Sequence, residues 1–278
     1  MRLDILEILK VVVLAIVEGI TEWLPISSTG HMLLVDEFLH LNMTQAFKDM
    51  FFVVIQLGAI IAVIVLFWHK MFPFQWKDKS QPVVKKNTFL LWFKVVVAVL
   101  PSMVAGLLFD DYLTAHLSTP MIISAMLVIY GLLFLVVERW NKKRVPTTKR
   151  LGDITYRTAL LIGCFQVLSL IPGTSRSGAT ILGALLLGVS RTAAAEFTFF
   201  LAVPTMLGAS LLKLVKFGFA FTGAELTALA IGMVVAFLVS LLVIKFLMSY
   251  IKKHDFTVFG YYRIILGVIL LAYFLLFQ

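Results

Sequence analysis

Eight apolar stretches, most of them close to the length that crosses a bilayer, leave this chain few folds to choose from. A membrane-spanning helix takes about 20 apolar residues, with a range of roughly 17–25. The windows Phe51–Trp68, Phe89–Phe109, Pro120–Val137, Phe197–Leu212, Leu226–Leu247 and Ile264–Phe277 approach or meet that length and are read as six spans. Two other regions, Ile5–Leu34 and Tyr156–Val189, are each broken near the middle by a polar, proline-containing stretch. Each half is too short to cross alone. Irregular backbone at membrane depth is tolerated only where it is buried in protein or lines a cavity. Both regions are therefore read as re-entrant helix–loop–helix hairpins. Two short crossing helices in each would leave the later spans in the same orientation. The expected fold is a single all-α integral membrane domain over residues 1–278, with six transmembrane helices and two hairpins.

Composition agrees. The chain is 61% hydrophobic and 14% charged, with a mean hydropathy of +1.00, whereas soluble domains are about a quarter charged. Too little polar surface exists to cover a globule of this size. The net charge of +9 does not point to nucleic acid here, because cytoplasmic loops of membrane proteins collect Lys and Arg and can attract anionic headgroups. Cys164, the single cysteine, cannot form an intrachain disulfide. Val11–Val17 is followed by Glu18 and Glu22 with no small-x-small pattern, so no cleaved signal is expected.

The charges orient the chain. His69–Thr88, Glu138–Asp153, Arg191 and Met248–Arg263 together carry fifteen Lys/Arg and fall on one side. Arg2, Lys48, Lys213 and Lys216 fall on the other. The basic side is expected to be cytoplasmic, with both termini and an Asp110-Asp111 loop outside. Glu196 and Gln56 read as helix–helix hydrogen-bond partners, and Lys94 and Lys245 as snorkelling side chains.

An internal repeat is also visible. Leu24-Pro25-Ile26-Ser27-Ser28-Thr29-Gly30 resembles Ile171-Pro172-Gly173-Thr174-Ser175-Arg176-Ser177. Phe51-Phe52 precedes Leu57-Gly58-Ala59 as Phe199-Phe200 precedes Leu207-Gly208-Ala209. Each half, about 1–145 and 150–278, then holds one hairpin and three spans. An odd number of spans turns the second half upside down, an inverted repeat of the transporter type in which broken helices meet near the midplane.

The first break raises a question of charge. Glu18 and Glu22 share a helix face at a depth where one ionised acid costs at least about 2.5 kcal/mol. Either one is protonated, or a cation sits between them, or both touch water at the interface. Hard divalent cations such as Mg²⁺ or Ca²⁺ prefer oxygen ligands. Pro25 ends the first half-helix. Ser27, Ser28 and Thr29 offer hydroxyls, any of which could cap the next helix. His31, beside hydroxyls and carboxylates, suits proton transfer.

The second break, Pro172 to Thr180, places Arg176 at membrane depth between serines and glycines. Its planar fork of donors suits phosphate oxygens. Gly173 and Gly178 let backbone amides approach a ligand, and the following helix, starting near Ala179, would aim its positive end at the same point. Thr174, Ser175, Ser177 and Thr180 add hydroxyls. Together these residues read as a phosphate cradle. An Arg176–Glu pair across the two hairpins is the other reading, and such a pair could hold the empty site.

"EGITEWLPISSTGH" followed by "PGTSRSGAT" closely resembles the two signature motifs of the BacA/UppP bacitracin-resistance family of undecaprenyl-diphosphate phosphatases. Both motifs are complete, and the likeness covers essentially the whole chain. The resemblance implies removal of the terminal phosphate of undecaprenyl diphosphate, which recycles the lipid carrier for peptidoglycan. It implies dependence on a divalent cation, bacitracin as a competitor for the substrate, and a site in a bacterial cytoplasmic membrane open to the periplasmic side. On that resemblance Glu18 and Glu22 bind the metal or position water, and Arg176 holds the diphosphate. Ser28 is the nucleophile with His31 as its base and later acid, unless His31 or Glu22 activates water directly. Ser27, Thr29, Ser175, Ser177 and Thr180 are supporting donors.

Other classes fit less well. A lipid-carrier flippase would use the inverted repeat but leave the nucleophile and base surplus. An intramembrane serine protease explains neither Arg176 nor the paired glutamates. A two-histidine lipid phosphatase would need Arg-Pro and His-Asp motifs that the sequence lacks.

Overall fold

The computed structural model describes residues 4–75, 83–218 and 220–277. Arg2 and the 76–82 part of the basic His69–Thr88 segment lie outside the described residues. Among the described residues twelve α-helices follow one another: α1 (Ile5–Thr21), α2 (Ser28–Leu39), α3 (Gln45–Val54), α4 (Gln56–Leu66), α5 (Trp68–Met71), α6 (Lys86–Leu117), α7 (Pro120–Asn141), α8 (Tyr156–Val167), α9 (Arg176–Leu186), α10 (Arg191–Phe217), α11 (Gly223–Tyr250) and α12 (Thr257–Phe277). Among the described residues β-structure is limited to two isolated bridges. Among the described residues six helical stretches are long and apolar enough to cross a membrane: Gln45–Leu66, Lys86–Phe109, Pro120–Asn141, Arg191–Phe217, Gly223–Tyr250 and Thr257–Leu276. They match the six expected spans, and the chain is an all-α, multi-pass membrane protein.

Local chemistry sets where these helices start. Thr44, Thr119, Thr155 and Ser190 each cap a helix by accepting a first-turn amide, and Pro120 occupies the first helical position of α7. Thr222 and Glu225 form a reciprocal capping box at α11. Such caps supply partners to amides that a helix leaves open. The expected Asp110-Asp111 loop is instead helix: α6 continues to Leu117, and Asp111 accepts from Lys216 Nζ at 2.7 Å.

Helices α2, α8 and α9 have 12, 12 and 11 residues, less than a crossing needs. Helix α1, with 17 residues, is at the lower edge. Helix α1 packs on α2 and α8 on α9, an arrangement consistent with two hairpins. The packing is also paired between the halves. Helix α1 lies along α11 and α8 along α6, while α7 and α12 lie along each other. The matching crossings use glycine for close approach: a Cβ on Gly163 would sit 2.2 Å from the Ala98 carbonyl oxygen, and one on Gly19 would sit 3.0 Å from that of Ala236. This exchange of partners is consistent with the repeat.

Inside, Trp23 and Phe67 meet Phe199, and Phe67 also meets Phe200, in an aromatic core between the halves. Outside, Leu107, Leu108, Val136, Leu242 and Leu276 are more than half exposed, the inverse of a soluble surface and suited to lipid. Arg263, grouped above with the basic loops, is different. It lies inside α12 with 0% exposure, so it belongs to the interior and not to the charges that orient the chain.

Candidate active site

Both breaks end on a serine in the same unusual conformation. Ser27 and Ser175 each have φ of 74°, and each caps the next helix by accepting an amide, Gly30 N at 3.3 Å and Gly178 N at 3.1 Å. Positive φ on a residue with a Cβ is uncommon and costs on the order of 1–3 kcal/mol where the fold enforces it. This likeness shifts the expected alignment of the two breaks by one residue. Ser27 matches Ser175, not Thr174, because the second loop has one more residue between its proline and its capping serine. Ser28 therefore matches Arg176, and Gly30 matches Gly178. Helix α9 accordingly begins at Arg176, earlier than expected.

Glu22 is the centre. Its Oε2 accepts from Ser28 Oγ at 2.9 Å, and its Oε1 accepts from Arg176 Nε and Nη2 at 3.3 and 3.2 Å. Arg176 Nη1 donates to the Thr198 carbonyl at 3.0 Å, and its guanidinium carbon lies 5.9 Å from the Trp23 ring centroid. Ser177 Oγ donates to the Glu22 carbonyl at 3.2 Å, and Thr180 donates to the Arg176 carbonyl at 2.9 Å. Thus the second break holds the first through main chain and side chain together. The expected Arg176–Glu pair is present, and its acid is Glu22.

Glu18 is 1% exposed, its Oε1 is buried without a hydrogen-bond partner, and the Gln56 side chain is within bonding reach. Gln56 on α4 thus meets Glu18 on α1, the helix–helix role expected of it, whereas Glu196 pairs with Lys70 at 2.7 Å. Among the described residues no three His, Cys, Asp or Glu side chains cluster to hold a metal. The orphaned Glu18 oxygen and the neighbouring Glu22 nevertheless fit a hard cation, since Mg²⁺ is commonly held by one or two carboxylates and completed by substrate phosphate and water.

His31 is held at both ring nitrogens. Nδ1 lies 2.7 Å from the Ser27 carbonyl, which can only accept, so Nδ1 carries the proton; Nε2 then accepts from Tyr262 O–H at 2.7 Å. The rings of His31 and Tyr262 are parallel, with centroids 5.6 Å apart. Ser28 therefore bonds Glu22 and not the expected His31. Arg263 completes the frame: it donates to the carbonyls of Pro25 (3.1 Å), Gly173 (2.9 Å) and Thr174 (3.0 Å). One buried guanidinium thus ties both breaks together. Sequence reasoning missed Tyr262 and Arg263; a Tyr-Arg pair one turn into an apolar span was the available signal.

The remaining expected residues divide. Gly173 has φ of 91°, and a Cβ there would sit 2.5 Å from the Ile123 carbonyl oxygen, so its role is backbone approach to α7. Thr174 is buried, Thr29 is exposed, and Ser175 Oγ lies 3.1 Å from Ser177 Oγ. Ser28 and Arg176, which both bond Glu22, are the first residues of α2 and α9.

Fold and site define a multi-pass helical membrane protein with a buried carboxylate, hydroxyl and guanidinium gathered at two helix breaks. The chain belongs to the bacitracin resistance protein BacA family, whose model matches residues 11–269. It is 73% identical over 271 residues to the undecaprenyl-diphosphatase of Enterococcus faecalis, covering 98% of each chain. It is 60% identical over 274 residues to that of Lachnoclostridium phytofermentans, covering 99% of each. It is 61% identical over 271 residues to that of Desulfitobacterium hafniense, covering 97% of each.

Proposed function

We infer that the chain is a membrane-embedded phosphatase that hydrolyses undecaprenyl diphosphate to undecaprenyl phosphate and inorganic phosphate. The observation that carries the mechanism is the Glu22 carboxylate, shared between the Ser28 hydroxyl and the Arg176 guanidinium. Phosphoryl transfer asks a protein mainly for positioning and charge, and this arrangement supplies both. The diphosphate draws Arg176 onto its oxygens and leaves Glu22 free to act on Ser28.

Ser28 Oγ attacks the terminal phosphorus and passes its proton to Glu22. The bond to the bridging oxygen breaks, and the electron pair leaves on the lipid monophosphate. Water then displaces Ser28 from phosphorus, Glu22 returns the proton to Ser28, and the proton lost by water leaves towards His31 through the Tyr262 hydroxyl. Ser177 and Thr180 hold Arg176 and its loop. A divalent cation at Glu18 and Glu22 would add positive charge against the diphosphate.

The position of the site along α7 bears on the side it faces. Arg263 also reaches the Leu127 carbonyl at 3.5 Å, roughly 10 Å along the helix from Pro120 at 1.5 Å per residue. That end faces away from the basic loops, which supports a site open to the outer side of the bacterial cytoplasmic membrane. Such a site meets the substrate that bacitracin also binds.

The test is phosphate release from polyprenyl diphosphate by the purified protein, with EDTA and with Mg²⁺ or Ca²⁺ restored. Release that stops with EDTA and returns with cation supports the reading. A folded protein that moves the lipid between leaflets of vesicles without releasing phosphate would support the flippase alternative.

A further inference from the structure

At the far end of α7 from the candidate active site, two adjoining cavities of about 450 and 400 Å³ share Asn141, Arg144, Arg191 and Ile251. They lie roughly 20 Å along α7 from Leu127 at 1.5 Å per residue, so they are separate from the chemistry. Their walls carry Lys142, Arg144, Arg191, Lys252 and Lys253 against one acid, Asp255. Buried Glu138 stands behind, bonded by Nε and Nη2 of Arg191. Arg191 and Thr192, the first residues of the 27-residue α10, line the first cavity, so the positive helix end adds to the field there.

Loop charges that serve only orientation need not converge, and Arg139, Lys149 and Arg150 of the same loop lie outside both cavities. A second feature points to lipid. Trp140 is 43% exposed, and the Arg144 guanidinium carbon lies 3.3 Å from its ring centroid. Exposed tryptophan marks the headgroup level of a bilayer. Ile129, Leu133, Val136 and Trp140 form an exposed stripe at helical spacing that leads up to the cavity.

We propose that this basic cavity holds the headgroup phosphate of an anionic phospholipid whose acyl chains lie along the α7 stripe. Basic pockets between helices at this level are suited to such headgroups.

The test reads Trp140 fluorescence in vesicles containing phosphatidylglycerol or phosphatidylcholine with brominated acyl chains; the difference between wild type and Trp140→Phe isolates the Trp140 signal. Half-quenching should need at least about fivefold less brominated phosphatidylglycerol than phosphatidylcholine, the worth of one basic residue at an anionic surface. The combined Arg144→Gln, Lys252→Gln and Lys253→Gln variant should lose that preference while keeping its phosphatase turnover. If the combined variant misfolds, single changes at exposed Lys252 and Lys253 should each reduce the preference. Equal quenching by the two lipids, or a preference untouched by the substitutions, overturns the proposal. Binding of millimolar inorganic phosphate at the cavity of a protein that shows no lipid preference would also overturn it, because the cavity would then be a free-phosphate site.

Discussion

Arg176 donates from Nε and Nη2 to one oxygen of Glu22, at 3.3 and 3.2 Å, across the gap between two broken helices. Neither side chain is more than about a tenth exposed. Burying two charges is costly, and such a pair gives little net stability. In the proposed mechanism its value is poise: each group is held by the other until an anion arrives.

Glu22→Gln keeps the shape of the side chain but cannot take the Ser28 proton. Turnover should fall by about 10²–10⁴-fold, the usual worth of general base catalysis. Stopped or steady-state phosphate release from polyprenyl diphosphate measures it. A loss below tenfold contradicts the assignment.

Tyr262→Phe removes the donor to His31 Nε2 and little else. One hydrogen bond is worth about 0.5–1.5 kcal/mol, so kcat should fall by roughly two- to twelvefold with KM unchanged. Turnover equal to wild type would remove Tyr262 from the proton path.

Arg263→Leu leaves the carbonyls of Pro25, Gly173 and Thr174 without their common donor. Each buried group left unpaired costs about 1–3 kcal/mol. The protein should lose several degrees in Tm in detergent, and Arg263→Lys should recover only part, because a point charge cannot span both loops. An unchanged Tm would show that the clamp is not needed.

Glu18→Gln should raise the Mg²⁺ or Ca²⁺ concentration at half-maximal activity by at least about tenfold, as expected when a carboxylate is lost from a hard-cation site. An unchanged cation requirement would place the cation elsewhere.

Ser175→Ala should lower stability by about 1 kcal/mol through the lost cap. Ser175→Gly should cost less, since glycine takes the positive φ without strain. Thermal melts of the two variants decide the order, and a less stable glycine variant would mean that the backbone there is unstrained.

The spans were legible because apolar runs close to the length that crosses a bilayer allow few alternatives. The Glu22–Arg176 pair was within reach for a related reason, as opposite charges at membrane depth need each other. Arg263 was hidden because it follows Lys252 and Lys253 and reads as one more loop cation, although helix α12 starts early enough to carry it inside. The partner of Ser28 was misassigned because His31 is nearer in sequence; only the geometry of the break turns Ser28 to Glu22 and His31 to Tyr262. The expected alignment of the two breaks is off by one residue because the second loop, which contains Gly173 with positive φ, is one residue longer between its proline and its capping serine.

The most direct measurement is single-turnover phosphate release from undecaprenyl diphosphate by wild type and Arg176→Ala in the same micelles, with folding and lipid binding measured in parallel. The account predicts release by wild type and loss of at least about 10³-fold in the variant, in line with the worth of groups that stabilise transferring phosphoryl charge. Near-wild-type release by a folded Arg176→Ala protein would contradict it.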